Sequence, residues 1–249
     1  YFLGTKYGFW PDGSSLESLD DFHYTLDLLD CVTYVEATLA LAKTEPLPDY
    51  AAFKQEFENI LRLIHYARGQ PNFVSRNHFM SVDWILNNKF IVEDITLHLS
   101  PTAKMAEALI DKLTWIKRHK INKNSTELPE SVLQKFQPQI SRLPYIETGE
   151  FLDNYAKFQD IFPEYCIVNI VRPNWDLTEK IGTHLNVSHL GFAFKDPKTR
   201  ELLFYHATII SNEVVKVTLY DYMNSHRDSP TIKGINVLII TPGYHHAGQ

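Results

Sequence analysis

Residues 28–36 read Leu28-Leu29-Asp30-Cys31-Val32-Thr33-Tyr34-Val35-Glu36, and they carry the signals of a helix start. Asp30 is a good N-cap residue, because its carboxylate can accept hydrogen bonds from free backbone N–H groups. Apolar residues then recur at spacings of three and four, typical of one helix face: Val32, Val35, Leu39 and Ala42. The pattern predicts a helix from about Cys31 to Ala42.

Cys31 falls in the first turn of this predicted helix. The free N–H groups and the helix dipole favour a negative charge there. A thiolate is such a charge, and it is the nucleophilic form of cysteine. The alternative is a small buried apolar side chain, which is the usual role of a free cysteine. Position alone leaves both interpretations open.

Composition narrows the class of protein. The chain has 249 residues and a net charge of −6, so no broad basic surface for nucleic acid is expected. The two cysteines, Cys31 and Cys166, do not make a disulfide framework. No apolar run reaches transmembrane length. The chain begins at Tyr1 rather than Met, which is compatible with a removed targeting segment or a trimmed chain.

The first half of the chain reads as mostly helical. A second helix is predicted over about Tyr50 to Arg68, a third from Ser100 to about Lys117, and a short one over Leu128 to Phe136, after a polar loop at Asn122 to Thr126. Residues 75–85 mix charge, histidine and aromatic side chains without clean periodicity. They are interpreted either as a binding loop or as a surface loop with an Arg76–Asp83 ion pair.

From Tyr145 the pattern changes to short apolar runs typical of strands. Residues 165–171 form a β-branched run expected of a buried strand, so Cys166 is interpreted as core packing. Further strands are predicted at 188–194, 202–210, 214–219 and 235–240, mostly joined by short turns. A helical first half and an antiparallel sheet in the second half predict an α+β fold.

Two histidines lie on neighbouring predicted strands. Period two places His189, Gly191 and Ala193 on one face. A hairpin turn centred between Pro197 and Lys198 would set His189 directly opposite His206, with Cβ atoms roughly 5 Å apart. If that face packs on the first helix, the three side chains can form a hydrogen-bonded chain. Cys31 would be the nucleophile, His189 the base, and His206 the group that orients the base.

Other interpretations of the histidines remain open. One alternative is that they are two half-buried histidines on a sheet face without a function. Another is that they are half of a metal site. A zinc site needs further ligands, and no close His/Cys pair provides them. The adjacent pair His245-His246 is a weak source of such ligands.

The chain resembles the NlpC-type cell-wall peptidases, a papain-like superfamily. The matching motifs are Gly4-Thr5-Lys6-Tyr7-Gly8, Asp30-Cys31, Ser188-His189-Leu190-Gly191 and His206-Ala207. It resembles more closely the branch called N-acetylmuramoyl-L-alanine amidase-like, through LDCVTYVEATLALA at 29–42, SRNHF at 75–79 followed by Asp83-Trp84, and SHLGFAF at 188–194. The resemblance runs from Tyr1 to at least Thr208, and is loose between about Ser100 and Thr148.

The resemblance implies one papain-like catalytic domain over residues 1–249, with a nucleophile helix packed on an antiparallel sheet and a mostly helical insertion at about 50–145. It implies that Cys31 attacks an amide of peptidoglycan fragments, that His189 is the base, and that His206 orients it. The implied substrate-binding residues are Tyr7, Asp30, Arg76, Asp83 and Ser188. The Tyr7 hydroxyl and the Cys31 N–H are the implied oxyanion donors.

The same resemblance implies no metal or cofactor and a periplasmic or secreted location. It favours cleavage between N-acetylmuramic acid and L-Ala. A stem-peptide endopeptidase of the same superfamily and a non-catalytic cell-wall-binding protein remain alternatives. One departure affects the pocket: the superfamily commonly has serine and often glycine after Asp-Cys, where this chain has Val32 and Thr33.

Overall fold

The computed structural model describes residues 2–9, 22–72, 74–118 and 130–242. The strands are β1 (Lys6–Tyr7), β2 (Leu28–Leu29), β3 (Val92–Asp94), β4 (Lys104–Ile110), β5 (Gln139–Glu147), β6 (Tyr165–Leu177), β7 (Thr183–Lys195), β8 (Leu202–Thr208), β9 (Glu213–Thr218) and β10 (Gly234–Ile240). The helices are α1 (Cys31–Lys43), α2 (Tyr50–His65), α3 (Ile85–Asn87), α4 (Thr96–Leu99), α5 (Lys112–Arg118), α6 (Glu130–Leu133), α7 (Thr148–Asp153), α8 (Tyr155–Ile161), α9 (Thr178–Ile181) and α10 (Leu219–Asn224). The predicted α+β class is confirmed.

One large sheet organises these elements in the order β2-β1-β9-β8-β7-β6-β10-β5-β4, with β3 added on β10. Its pairs are antiparallel, apart from the short parallel pair β1–β2. That parallel pair sets Tyr7 beside Leu29, two residues before α1 begins. None of the described helices has the length and apolar character needed to cross a bilayer.

Helices cover both faces of the sheet. On one face, the apolar stripe of α1, including Val35 and Leu39, packs on Leu190 and Phe192 of β7. On the other face, apolar residues of α7, α8 and α10 pack on β6, β7 and β8, where Cys166 is fully buried. The interpretation of Cys166 as core packing is therefore confirmed.

The helix predicted from Ser100 to about Lys117 is wrong. Residues 104–110 form strand β4, and only residues 112–118 are helical. Buried and exposed residues alternate along this strand, as expected for a sheet with one covered face. Ala106, Ala108 and Ile110 are buried, while Met105 and Leu109 are exposed. The segment at about 50–145 therefore contributes strands as well as helices.

The ends of the other predicted helices differ less from those observed. Helix α2 ends at His65 rather than Arg68, because the backbone of Tyr66 is extended, and the following Arg68 and Gly69 take positive φ angles. The short helix predicted over Leu128 to Phe136 is observed as Glu130–Leu133, and the predicted loop at Asn122 to Thr126 lies outside the described residues.

The predicted register of the β7–β8 hairpin is also wrong, by two residues. Phe192 pairs with Tyr205 and Ala193 with Phe204, so the turn is centred one residue later than expected. The Asp196 side chain accepts hydrogen bonds from the N–H groups of Lys198 and Thr199, and Arg200 takes a φ of 64°. A shift of two residues keeps every side chain on its predicted face.

Candidate active site

The start of α1 is held by a capping box. The Asp30 carboxylate accepts hydrogen bonds from the N–H groups of Val32 at 2.9 Å and Thr33 at 2.8 Å. The Thr33 hydroxyl accepts in return from the Asp30 N–H at 2.9 Å. The N–H groups of Val32 and Thr33, which a helix N-terminus leaves unpaired, and the N–H of Asp30 thereby all have partners. Asp30, predicted to bind substrate, is occupied as the cap, and Thr33 has a structural reason to stand where the superfamily often has glycine.

Cys31 borders an open cleft of about 320 Å³. Tyr7 and Phe9 line one part of it, and Arg76 and Trp115 line another. Val32, the departure noted in the sequence, also lines the cleft. Cys31 is partly exposed as a residue although its thiol is desolvated, whereas Cys166 is buried throughout.

The thiol of Cys31 is protonated in the free protein. Burial raises its pKa to about 12, and the negative charge of Asp30 adds to this rise. The backbone N–H groups of Leu190, Cys31 and Val32 act in the opposite direction. The sequence-based expectation of a thiolate is therefore wrong for the free protein, because desolvation outweighs the helix N-terminus.

Alkylation tests this protonation state. In a Cys166→Ala variant, iodoacetamide should modify Cys31 more slowly than a free thiol at pH 6 to 8, since a raised pKa leaves less thiolate. The rate should keep rising as the pH passes 9. Intact-mass analysis over time gives the rate at each pH, and fast labelling at mildly acidic pH would contradict the raised pKa.

The two histidines meet on one face of the sheet. His189 Nε2 lies 2.7 Å from His206 Nδ1, which is hydrogen-bond distance. Gly191 makes this approach possible: a Cβ atom there would lie 2.4 Å from the Tyr205 carbonyl oxygen and 2.8 Å from the His206 Cβ atom. The pair thus forms diagonally rather than directly across the hairpin.

Burial keeps both imidazoles neutral. It lowers the pKa of His189 to about 3, with help from the nearby His206 and then His226, and it lowers the pKa of His206 to about 4. One neutral ring must donate to the other. If His189 Nε2–H donates to His206 Nδ1, then His189 Nδ1 keeps a lone pair and can accept a proton.

The histidine pair does not lie on the face of the sheet that α1 covers, so this part of the prediction is wrong. Helix α1 packs on the opposite face, against Leu190 and Phe192. Among the described contacts there is no hydrogen bond between Cys31 and His189, so only the His189–His206 link of the predicted chain is formed. The Leu190 N–H, one residue along the chain from His189, is close enough to act on the Cys31 thiol, so the thiol lies near the start of this part of β7.

Tyr222 of α10 is a site residue that the sequence did not suggest. Its ring is stacked on His189, with centroids 6.2 Å apart, and lies 5.2 Å from the His206 ring. Burial raises the pKa of Tyr222 to about 12, and the nearby Cys31 would add to this rise in its thiolate form. Tyr222 therefore neighbours both the thiol and the imidazoles. Its short helix carries no pattern that could have revealed this contact.

Arg76 lines the cleft as expected, but the Arg76–Asp83 ion pair does not form. The Asp83 carboxylate instead pairs with Lys112 and accepts from the Phe79 N–H at 3.1 Å. Asp83 is absent from the described cleft lining. Ser188, also predicted to bind substrate, donates its hydroxyl to the Ile170 carbonyl at 3.4 Å. The structure brings neither Asp83 nor Ser188 to the described cleft surface.

A buried relay positions Arg76. Glu36 of α1 accepts hydrogen bonds from His65 Nδ1 at 2.6 Å and from Trp84 Nε1 at 2.9 Å. The other His65 nitrogen, Nε2, contacts an amino group of Arg76. Burial lowers the pKa of Arg76 to about 9. These contacts explain what Glu36 and Trp84 do in the motifs of residues 29–42 and 83–84.

Within the described ranges, no group of three or more His, Cys, Asp or Glu side chains could hold a metal ion. The pair His245-His246 lies outside the described residues.

The sequence matches, over residues 1–232, the AmiA-like family, described as N-acetylmuramoyl-L-alanine amidase-like. Among solved structures, a Legionella pneumophila protein is 32% identical with a TM-score of 0.82, and the match covers 97% of this chain and 86% of that one. No curated protein matches the sequence.

Two more distant structures share the fold. An N-acetylmuramoyl-L-alanine amidase from Bacteroides uniformis is 23% identical with a TM-score of 0.67, over 96% of this chain and 94% of that one. A candidate xylanase from Bacteroides fragilis is also 23% identical, with a TM-score of 0.68 over 95% and 96%. At this level of identity the two likenesses establish a common fold and nothing about substrate.

Proposed function

The chain belongs to the N-acetylmuramoyl-L-alanine amidase-like family, and on that premise we propose that it is a cysteine-dependent amidase. Its substrate is the amide joining N-acetylmuramic acid to L-Ala in peptidoglycan fragments. The observation that carries the proposal is Cys31 at the capped start of α1, on the cleft, near a hydrogen-bonded His189–His206 pair. A nucleophile helix on an antiparallel sheet also supports a papain-like, NlpC-type core.

Catalysis begins with attack by the Cys31 sulfur on the amide carbonyl. Because the thiol is protonated and His189 is neutral, the proton passes from sulfur to His189 Nδ1 as the carbon–sulfur bond forms. His206 accepts from His189 Nε2–H and holds the ring in the required tautomer.

The tetrahedral intermediate carries its negative charge on oxygen. The Cys31 N–H and the Tyr7 hydroxyl are the proposed donors to that oxygen. Burial raises the pKa of Tyr7 to about 12, and the thiolate form of Cys31 and the carboxylate of Asp30 would raise it further, so the hydroxyl keeps its proton at neutral pH. Tyr7 owes its position beside the thiol to the pairing of β1 with β2.

The intermediate collapses when the carbon–nitrogen bond breaks. His189 returns its proton to the leaving amine of L-Ala, and a muramoyl thioester remains on Cys31. A water molecule, deprotonated by His189, then attacks the thioester and releases the muramic acid carboxylate and the thiol. Each proton taken by His189 is returned, so no external cofactor enters the balance.

Competing functions receive less support. A glycosidase requires two carboxyl groups flanking the scissile bond. Among the described residues lining the cleft, the carboxylate is that of Asp30, which caps α1. A stem-peptide endopeptidase of the same superfamily uses the same catalytic set, and a non-catalytic binding protein needs none of it. A peptidoglycan substrate implies work in the periplasm or outside the cell.

Product masses test the bond. Incubation with a muramoyl-peptide should release free N-acetylmuramic acid and a peptide that begins at L-Ala, both identified by mass spectrometry. Heat-denatured protein is the control. A product in which the sugar retains L-Ala and the next residue would instead identify an endopeptidase, and an unchanged substrate would contradict hydrolysis altogether.

A further inference from the structure

Arg172 lies on β6 beside the imidazole pair. Its neighbour two residues back, Ile170, is the direct cross-strand partner of His189. Ile170 packs in the core on the α10 side of the sheet, together with Phe204. Because side chains alternate along a strand, Arg172 falls on this same side as Ile170, one step beyond His189.

The backbone of β6 departs from regular pairing directly after this position. The register with β7 shifts between Ile170 and Val171 and again between Val171 and Trp175. Within the bulge, Asn174 takes a φ of 51° and its N–H donates to the Asn186 side chain at 3.0 Å. Bulges re-aim side chains and are common next to active sites. This one carries Arg172 and Trp175.

The Arg172 guanidinium has an aromatic contact but no counter-ion among the described residues. Its central carbon lies 4.3 Å from the centroid of the Trp175 ring. Its Nε atom is buried without a hydrogen-bond partner, and no described residue forms an ion pair with the side chain. A half-buried cation without a partner costs free energy, so its retention needs a reason.

The surroundings of Arg172 contain aromatic and neutral groups. Its positive charge acts on Tyr222 and on His226, whose rings are 5.0 Å apart. Burial and then the charge of Arg172 lower the pKa of His226, so His226 stays neutral and Arg172 is the cation there. Tyr222 in turn stacks on His189, which connects this cluster to the reacting groups.

Arg76 is less available to an anion. Its guanidinium is engaged by His65 within the relay that starts at Glu36. Arg172 has no such engagement within the described part of the chain.

We propose that Arg172, stacked on Trp175 and flanked by Tyr222 and His226, forms a subsite that binds a carboxylate of the peptide part of the substrate. This inference rests on the proposed amidase function. A planar guanidinium matches a carboxylate through two parallel hydrogen bonds, which is the pairing that Arg172 lacks. Neither Arg172 nor Trp175 is among the described residues that line the cleft containing Arg76.

Two substrates and three variants test the subsite. The substrates are muramoyl-L-Ala-D-Glu with both carboxylates free and the same compound with both converted to amides. Arg172→Gln removes the charge, and Arg172→Lys keeps it. Arg142→Gln is the matched control, because the Arg142 side chain is exposed on β5, where it pairs with Glu107 at 2.8 Å, and β10 lies between β5 and β6 in the sheet.

The wild type should hydrolyse the acid substrate with a kcat/KM about tenfold or more above that of the amide, the size expected for a charged hydrogen bond. Arg172→Gln should lose this preference through a higher KM for the acid alone, while Arg172→Lys keeps much of it and Arg142→Gln keeps all of it. Thermal unfolding checks that Arg172→Gln is folded.

Several outcomes would overturn the inference while leaving the amidase in place. They are a wild type that does not distinguish the substrates, an Arg172→Gln variant that slows both equally, and an Arg172→Gln variant that retains the acid preference. If Arg172→Gln fails to fold, the wild-type ratio and Arg172→Lys still decide. A wild type that hydrolyses neither substrate refutes the proposed function, and the subsite with it.

Discussion

Replacing Cys31 by alanine is expected to lower amide hydrolysis by at least about a thousandfold, because the proposed nucleophile is lost. Alanine has the highest helix propensity, and the capping contacts between Asp30 and Thr33 do not use the thiol, so α1 should still form. The measurement is kcat/KM on a muramoyl-peptide, with the product detected by mass.

Cys166→Ala is the matched control for this prediction. Cys166 is fully buried in β6, and its side chain packs in the core on the face opposite α1. Its replacement should cost some stability and leave kcat/KM unchanged. Activity that survives Cys31→Ala and disappears with Cys166→Ala would reverse the assignment, and activity in both variants would refute a cysteine mechanism.

Local signals in the sequence predicted the parts of the site that depend on local structure. Asp30 and the spacing of Val35 and Leu39 place Cys31 at a helix start, because a cap and an apolar stripe act within a few residues. Period two placed His189 and His206 on one face. That result survived a wrong register, since a shift of two residues preserves faces.

Other features of the fold could not be predicted from short stretches of sequence. Residues 104–110 contain apolar side chains that fit both a helix and a strand, and pairing with β5 decides for the strand. In the hairpin turn, Arg200 adopts a positive φ, a conformation that an arginine in the sequence does not predict. The side of the sheet that α1 covers is likewise a property of the assembled core.

The protonation state of Cys31 could not be predicted from the sequence either, because it depends on burial in the folded protein. The sequence revealed the helix N-terminus, which lowers a thiol pKa, but it could not show the burial, which raises it more. Tyr222, Glu36 and His65 are similar cases. The Glu36–His65 hydrogen bond joins residues 29 positions apart, and the Tyr222–His189 contact also joins distant positions, so both exist only after the sheet and helices have packed.

The histidines should differ in importance. His189→Ala removes the proposed base and is expected to lower kcat/KM by about a thousandfold or more. His206→Asn retains an oxygen that can accept from His189 Nε2–H, so the ring can keep the tautomer with a free Nδ1. This variant should retain a measurable fraction of activity, well above that of His189→Ala.

Comparison of His206→Asn with His206→Leu isolates the hydrogen bond. Leucine occupies a similar volume in this buried position without accepting a hydrogen bond, so it leaves the His189 tautomer unspecified. We expect activity to fall in the order wild type, His206→Asn, His206→Leu, with KM nearly unchanged, because His206 orients the base rather than the substrate. Thermal unfolding checks that each variant is folded. Equal activity in the Asn and Leu variants would show that His206 only fills space, and a larger loss from His206→Asn than from His189→Ala would assign the base to His206.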